Sequence, residues 1–239
     1  MIKKISVVFP AYNEEENIQY AIEDFKKIPE VDEIIVVDNN SIDNTAFLAR
    51  AAGAKVVQEK NQGYGYACQR GLKEAKNEII VLVEPDGTFF AKDIYKFLAY
   101  IDEFDLVLGT RTCKQMIKKG AKMGWFLRVG NIFLAKMVEF LFYNKEIRLT
   151  DVGCTYRMIK KKALKKIINN FTVGGNHFSP EMIIEAIIND LKIIEIPINY
   201  GKRRGYSKIT SNFRKSFILG IKMILLIFKK WFKYVFKKR

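Results

Sequence analysis

The stretch that constrains the fold most is a run of five branched apolar residues, Ile79 to Val83, which leads directly into Glu84-Pro85-Asp86-Gly87. An apolar run bounded by turn residues is typical of a strand buried on both faces, as in a parallel sheet. The Pro and the Gly end the strand, so both carboxylates lie at its carboxyl end, where open α/β sheets bind ligands. Carboxylates spaced i, i+2 can face one hard cation. On this stretch alone, a polar turn after a buried strand is the better interpretation.

The first 110 residues alternate between short apolar strands and amphipathic helices. This pattern predicts a mostly parallel, right-handed, doubly wound sheet flanked by helices, which is an α/β fold. Polar clusters follow three of the strands and should meet at one edge of the sheet: Asn13 and Glu14, Asp38, and Glu84 with Asp86. The predicted strands are Ile5–Phe9, Glu33–Asp38, Lys55–Gln58, Ile79–Val83 and Asp105–Gly109.

The second half of the chain has a different character. Residues Met116 to Phe142 are rich in Lys and Phe, and we expect a helical lid or a membrane-facing segment there. A helix over Met182 to Ile188 and a strand over Ile193 to Ile198 then return to the body of the protein.

The last segment, Ser211 to Phe236, interleaves aromatic residues with lysines. Its most apolar part is interrupted by Lys222 and falls short of the ~20 apolar residues that a transmembrane helix needs. We therefore predict an amphipathic helix that lies in the lipid interface, with a helix packed on the domain as the alternative. The predicted division is a catalytic domain over 1–210 and a membrane-associating tail over 211–239.

Charge is distributed unevenly along the chain. The formal net charge is +15, and no Asp or Glu occurs from Ile196 to the end. A basic tail of this kind favours nucleic acid, anionic lipid or phosphorylated substrates as partners. The single histidine, His177, excludes a multi-His zinc site, and three widely spaced cysteines indicate reduced thiols in a cytosolic protein. The N-terminal sequence lacks the apolar region of a signal peptide.

Seven motifs, taken together and in order, resemble those of family 2 glycosyltransferases with the GT-A fold. Within that family they are most similar to the polyprenyl-phosphate glycosyltransferases, the dolichyl-phosphate glucose and mannose synthases. The motifs are Val8–Glu14, Val37–Thr45, Asn61–Gly65, Glu84–Gly87, Gly109–Arg111, Asp151–Arg157 and Arg204–Lys208.

The resemblance implies roles for the donor side of the site. Asp86 would bind an Mg²⁺ or Mn²⁺ ion that bridges the diphosphate of a nucleotide-sugar, with Glu84 in place of the usual first Asp and Thr88 as a further polar ligand. The implied nucleotide-binding residues are Pro10, Ala11, Tyr12, Glu14, Asp38, Asn39 and Gly63. The implied phosphate-binding residues are Lys202, Arg203, Arg204 and Lys208, and which of the first three meets the diphosphate is left open.

On the acceptor side, Arg111 and Arg128 resemble the arginines that receive the lipid phosphate, a role that suits the planar guanidinium. Asp151 matches an acidic residue near the acceptor, and with Asp86 these residues form the predicted catalytic set. The alternative for Arg128 is a solvent-facing position on a basic helix. We expect His177 to be structural, and Glu181 is a candidate for the wall of the sugar pocket.

These observations lead to one expected function. A hexose would move, with inversion, from a nucleotide-sugar to polyprenyl phosphate at the cytoplasmic face of the membrane. UDP-glucose or UDP-N-acetylglucosamine is favoured over GDP-mannose, and no strong general base is required because the acceptor phosphate is already a nucleophile. Anionic lipid is an expected partner, and a homo-oligomer is possible.

Three alternatives remain at this point. The first is a family 2 transferase that acts on a polysaccharide or a small sugar. The second is a basic nucleic-acid-binding module, which is disfavoured because the lysines of the tail are embedded among large apolar residues and the acidic cluster would repel phosphate. The third is a purely structural relative that binds no metal, which the intact Asp86 argues against.

Overall fold

The computed structural model describes residues 3–121, 124–204 and 213–237. Seven strands occur within those ranges: β1 (Ile5–Ala11), β2 (Val31–Asp38), β3 (Lys55–Gln58), β4 (Ile79–Leu82), β5 (Leu106–Thr110), β6 (Arg157–Lys160) and β7 (Ile193–Pro197). The α-helices there are α1 (Ile18–Lys26), α2 (Thr45–Ala51), α3 (Tyr64–Glu74), α4 (Ile94–Leu98), α5 (Trp125–Leu141), α6 (Lys161–Ile167), α7 (Phe178–Ile188) and α8 (Phe213–Lys237).

The strands form one sheet in the order β3-β2-β1-β4-β6-β5-β7. Every neighbouring pair is parallel except the two that involve β6, which runs antiparallel to both β4 and β5. The alternating pattern of the first 110 residues and the mostly parallel sheet are confirmed. Strand β6 was not predicted, since it is only four residues long and has a charged residue at each end. It separates β4 from β5, so these two strands do not pair directly.

Strand β4 is buried on both faces, as its sequence predicts. Ile80 and Leu82 belong to the apolar cluster that α3, α5, α7 and α8 cover. Ile79 and Val81 belong to the cluster under α1 and α4 on the other face. The acidic residues that follow β4 are therefore held at the end of a strand that is fixed from both sides.

The Lys- and Phe-rich segment differs from its prediction at the N-terminal end. Its long helix, α5, begins only at Trp125, and a short 3₁₀ turn covers Lys114–Met116. Between them, Ile117 bridges to Tyr200, and the Lys118 amide donates to the Tyr200 carbonyl at 2.8 Å. These bonds require an extended backbone, so this part of the segment is not helical.

Helix α8 packs on the body of the protein. Met223, Leu226 and Ile227 are buried in the same cluster as residues of α5 and α7. Among the described residues, no helix is both long enough and apolar enough to cross a bilayer. The predicted boundary at residue 210 falls in 205–212, outside the described ranges, and stays a prediction.

Candidate active site

A cavity of about 780 Å³ opens at the carboxyl ends of β1, β2 and β4. One side of it is polar and is formed by the loops that follow these strands. The other side is formed by α5 and α8 and is mostly apolar, although Asn131, Lys215 and Ser216 of these helices also line it. Of the predicted site residues, Pro10, Ala11, Tyr12, Glu14, Asn39, Gly63, Glu84, Asp86, Arg111, Lys202 and Arg203 line the cavity.

The loops after β1 and β2 are tied to each other. Asn13 has a positive φ of 53°, and its side-chain oxygen accepts from the Ile42 amide at 2.9 Å. The Glu14 amide donates to the Thr45 hydroxyl at 2.8 Å. These bonds fix the backbone that carries Glu14 at the mouth of the cavity.

Asp38 and Asn39 both make hydrogen bonds at the loop after β2, but only Asn39 lines the cavity. Asp38 is buried, accepts from the Ser41 amide at 3.0 Å, and does not line the cavity. The Asn39 oxygen accepts from the Gly63 amide at 2.7 Å. Gly63 has a φ of 151°, and a Cβ there would lie 2.3 Å from the Gly174 oxygen. Only glycine fits this close approach, which brings the 62–64 backbone to the cavity.

Asp86 is the most constrained carboxylate of the site and is 2% exposed. Its Oδ1 accepts from the amide and the hydroxyl of Thr88, at 3.0 and 2.5 Å. Its Oδ2 faces the Arg203 guanidinium at 2.8 Å. Thr88 itself does not line the cavity. Its amide and hydroxyl orient the carboxylate of Asp86.

Glu84 lies beside Asp86 in a poorly hydrated position. Burial, followed by the negative charge of Asp86, raises the pKa of Glu84 to about 8, although Arg203 and Arg111 oppose the shift. A site that resists a second negative charge in this way is one that an added cation would stabilise.

The donor set fits a divalent cation that brings other ligands with it. Within 3–121, 124–204 and 213–237, no group of three or more His, Cys, Asp or Glu side chains could hold a metal ion. Mg²⁺ is commonly bound by one or two carboxylates, with water and substrate phosphate oxygens completing the shell. Asp86 and Glu84 supply two carboxylates at the cavity wall, which is within this range.

Arg111 and Asp151 form a buried bidentate pair. The Arg111 Nε and Nη2 donate to the two oxygens of Asp151 at 2.8 and 2.9 Å. Asp151 is 1% exposed and does not line the cavity, whereas Arg111 does. Glu195 in turn accepts from the Asp151 amide at 2.9 Å. The structure thus places Asp151 behind Arg111, where it orients the guanidinium.

Arg128 is placed differently from Arg111. Its guanidinium donates to the Thr112 carbonyl, and Arg128 is not among the cavity-lining residues. The contact supports the loop after β5 rather than the cavity wall. The predicted role of Arg128 at the acceptor phosphate stays a prediction.

The basic segment reaches across to the acidic loops. Arg203 contacts Glu14 at 3.1 Å as well as Asp86, and the Arg204 amide donates to the Asp86 carbonyl at 3.1 Å. The Arg204 side chain lies over the ring of Tyr20, 4.5 Å from its centroid. Among Lys202, Arg203 and Arg204, Arg203 is therefore the one that meets the carboxylates. Lys208 lies outside the described residues.

Two features of the site were missed in the sequence. Arg157 on β6 is 1% exposed, and it donates to the carbonyls of Cys154 and Ser179 at 2.7 and 2.6 Å, which joins the 152–154 loop to α7. The only signal for Arg157 in the sequence was its place at the end of the Asp151–Arg157 motif. The second feature is the apolar wall, whose residues include Leu127, Phe133 and Leu134 of α5 and Leu219, Met223 and Ile224 of α8. The sequence predicted a helical segment within Met116 to Phe142 and an amphipathic helix at the end of the chain, but not that the two meet at the cavity.

Glu181, a candidate for the sugar pocket, is instead fully buried and does not line the cavity. One of its oxygens accepts from the Thr172 amide at 2.9 Å, the other from the Val173 amide at 2.9 Å. The former also contacts Lys230 of α8 at 2.7 Å. His177 precedes α7 and is half-buried, outside the cavity lining.

Comparison with known proteins agrees with this geometry. The model of the family described as "Glycosyl transferase family 2" matches residues 6–168, which include nearly all of β1, the strands β2 to β6, and the loops that carry Glu14, Asn39 and Asp86. The chain belongs to glycosyltransferase family 2. The transferase is thus an enzyme.

Several relatives of the transferase align over most of its length. It is 31% identical over 207 residues to the "dolichyl-phosphate hexose transferase" of Haloferax volcanii, which covers 86% of each chain. It is 30% identical over 216 residues to an uncharacterized glycosyltransferase of Mycobacterium bovis, which covers 90% of this chain and 93% of the relative.

Among solved structures, the transferase is similar to glucosyl-3-phosphoglycerate synthase of Mycobacterium tuberculosis in complex with Mn²⁺, UDP and phosphoglyceric acid. The TM-score is 0.74 at 19% identity, and the match covers 96% of this chain and 78% of the synthase. At this identity the likeness shows the fold, which is the GT-A fold expected from the motifs.

Proposed function

We propose that the transferase moves a hexose, with inversion, from a nucleotide-sugar to a polyprenyl phosphate at the cytoplasmic surface of a membrane. The observation that carries the proposal is the two-sided cavity. Carboxylates and guanidinium groups converge at one side, and mostly apolar side chains of α5 and α8 form the wall at the other. A phosphate joined to a long hydrocarbon chain has the same two-sided chemistry.

The acceptor phosphate would meet Arg111. Asp151 holds this guanidinium in one orientation at the cavity wall, and arginine binds phosphate through paired N–H donors. A phosphate oxygen attacks the anomeric carbon as the bond from that carbon to the diphosphate breaks. The electron pair leaves with the diphosphate. No proton has to be removed from the acceptor, so the step needs no general base.

The donor diphosphate would lie near Asp86, Arg203 and Lys202. A divalent cation held by Asp86 and Glu84 would neutralise the charge that develops on the leaving diphosphate. The glycine-constrained backbone at 62–64 and the loop of Pro10 to Tyr12 would hold the nucleoside. We favour a UDP-linked hexose, because Asp86-Gly87-Thr88 resembles the glucose branch of the polyprenyl-phosphate transferases.

Exposed apolar side chains of the same two helices, some of which also line the cavity, support the membrane setting. Phe133 and Phe140 of α5 are 59% and 78% exposed, and α8 exposes an apolar stripe formed by Phe217, Ile218, Ile221, Leu225, Phe228, Phe232 and Phe236. Helix α8 contains lysines and no acidic residue. An apolar stripe flanked by lysines suits an anionic lipid surface. The acceptor would then enter the cavity from the bilayer that its chain occupies.

The proposal is tested by transfer from radiolabelled UDP-glucose, UDP-N-acetylglucosamine and GDP-mannose, each with Mn²⁺ or with EDTA. One set of reactions contains polyprenyl phosphate in vesicles, and a second contains 3-phosphoglycerate, chosen because of the solved structures with this fold. We expect label in the lipid phase from a UDP-sugar, with Mn²⁺ only. Label only in a water-soluble product would refute the lipid acceptor, and transfer unaffected by EDTA would refute the metal.

Two variants sharpen this assay. Asp86→Asn should lower turnover by about 100-fold or more, since it removes charge at the leaving diphosphate. Glu103→Gln changes an exposed carboxylate remote from the cavity and should leave turnover unchanged. Equal turnover of the two variants would contradict the role given to Asp86.

A further inference from the structure

Arg203 lies on the carboxylate oxygen that a metal ion would use. Its Nη1 is 2.8 Å from Asp86 Oδ2, while the other oxygen of Asp86 is engaged by Thr88. Its Nη2 is 3.1 Å from Glu14 Oε1. The guanidinium therefore joins two carboxylates from different loops, in the manner of a bridging cation.

The position of Arg203 is imposed by the backbone around it. The Gly201 amide donates to the Thr88 carbonyl at 2.8 Å, and the Arg204 amide donates to the Asp86 carbonyl at 3.1 Å. The segment is thus docked on the acidic loop on both sides of Arg203. Its side chain is 26% exposed, which leaves a path for the guanidinium to turn toward the cavity.

A divalent cation and the guanidinium compete for the same oxygen. Both would have to lie within about 3 Å of Asp86 Oδ2, where two positive groups repel each other strongly. Arg111, the other guanidinium at the wall, is committed to Asp151 and does not take this place. Cation binding at Asp86 Oδ2 and the contact between Arg203 and the same oxygen therefore oppose each other.

We propose that Arg203 is an exchangeable counter-cation of the metal site. It neutralises Asp86 until a divalent cation takes over Oδ2, and the displaced guanidinium then binds the diphosphate that arrives with the cation. The exchange rests on the proposed function, because it requires a metal and a diphosphate in this cavity. It makes their binding cooperative. The metal alone must displace Arg203 from Asp86 and leaves it only Glu14, whereas the diphosphate offers Arg203 a new partner.

The test measures Mn²⁺ affinity, from the electron paramagnetic resonance signal of free Mn²⁺, without nucleotide and with saturating UDP. In the absence of UDP, Arg203→Gln should bind Mn²⁺ about tenfold more tightly than the wild type, within the usual range of coupled sites. Arg70→Gln is the matched control, because it removes the same charge from an exposed position on α3. Its Mn²⁺ affinity should stay within about twofold of the wild type.

UDP should then reduce the difference in Mn²⁺ affinity between Arg203→Gln and the wild type. It should strengthen Mn²⁺ binding in the wild type and in Arg70→Gln by a larger factor than in Arg203→Gln, where no guanidinium is released to the diphosphate. Arg203→Lys, which can satisfy only one carboxylate at a time, should lie between the wild type and Arg203→Gln. It also serves as the test protein if the glutamine variant does not fold, as judged by its thermal melting.

Unchanged or weaker Mn²⁺ binding in Arg203→Gln and Arg203→Lys without UDP would overturn the exchange. Equal strengthening by UDP in all variants would overturn it as well. The proposed function fails separately. If the arginine variants behave as expected but no donor labels polyprenyl phosphate, the exchange stands and the acceptor is wrong. If Asp86→Asn binds Mn²⁺ as the wild type does, the metal is not at Asp86, so the exchange and the metal role of Asp86 in the proposed function are both wrong.

Discussion

The two sides of the cavity are built by different physics. On the polar side, directional hydrogen bonds within and between short loops set each group, as when Thr88 and Arg203 take the two oxygens of Asp86. On the apolar side, α5 and α8 come from distant parts of the chain and are held by burial, which is not directional. On the donor side, the loss of a single side chain should therefore impair the function of the site. On the acceptor side, changes that disturb the packing of a helix should have the larger effect.

One buried ionic cluster is the exception on the apolar side. Lys230 of α8 is 5% exposed, and its Nζ lies 2.7 Å from Glu181 Oε1 and 2.7 Å from Glu185 Oε1, both on α7. Glu181 also holds the amides of Thr172 and Val173, just before Gly174, whose carbonyl accepts from the Gly65 amide of α3 at 2.8 Å. The cluster fixes where α8 sits against the rest of the cavity.

The largest expected effect is therefore on stability. Lys230→Met leaves two buried carboxylates without their cation, and we expect it to lower the free energy of unfolding by about 3–5 kcal/mol. The neighbouring Lys229 is exposed, and Lys229→Met should change that free energy by less than about 0.5 kcal/mol. Denaturant unfolding of both variants measures the difference. Similar values for the two lysines would show that burial alone positions α8.

The next effect concerns Arg111, the guanidinium that Asp151 orients at the cavity wall. Arg111→Ala should lower kcat/KM for the phosphate acceptor by about 100-fold while KM for the donor changes little, because the lost charge faces the acceptor. Asp151→Asn keeps Arg111 but removes its ion pair, and a loss of about 10-fold is expected. Steady-state kinetics with each substrate varied in turn provides the measurement. A larger loss in Asp151→Asn than in Arg111→Ala would indicate direct chemistry by Asp151.

The exposed stripe of α8 gives a smaller effect. Phe232→Glu should weaken binding to vesicles that contain anionic lipid by about tenfold, because an aromatic side chain is lost from the lipid interface. Phe47→Glu is the matched control, since Phe47 is a 69% exposed aromatic residue on α2, away from α5 and α8. Co-sedimentation measures both, and equal losses would mean that α8 is not the lipid-facing surface.

The smallest effect is a pH dependence. Burial, helped by the charge of Lys222, lowers the pKa of His177 below its model-compound value of 6.5. The unfolded chain then binds more protons than the folded one near that pH, so the contribution of His177 to stability is lost as pH falls below about 6.5. The difference in melting temperature between pH 7.5 and 5.5 should be smaller in His177→Gln than in the wild type. An identical difference would contradict this role.

How far the sequence reaches depends on the range of the forces involved. The buried strand before Glu84 was predictable, because hydropathy patterns fix strands. The sequence grouped Glu14, Asp38 and Asp86 at one edge because parallel strands end together, but Asn39 rather than Asp38 lines the cavity. Strand β6 was missed because four residues with charged ends carry no period of their own. Arg128 was grouped with Arg111 through the resemblance, although only Arg111 reaches the cavity.

The sequence by itself determined the α/β class, the family and the polar strand ends, since each follows from a few neighbouring residues. Only the tertiary structure decided that Asp151 stands behind Arg111, that Lys230 joins α8 to α7, and that Arg203 meets Asp86. These contacts join groups far apart in the chain. Their formation depends on how whole helices and strands pack. Burial of apolar surface stabilises any close packing, so no local sequence pattern specifies these contacts.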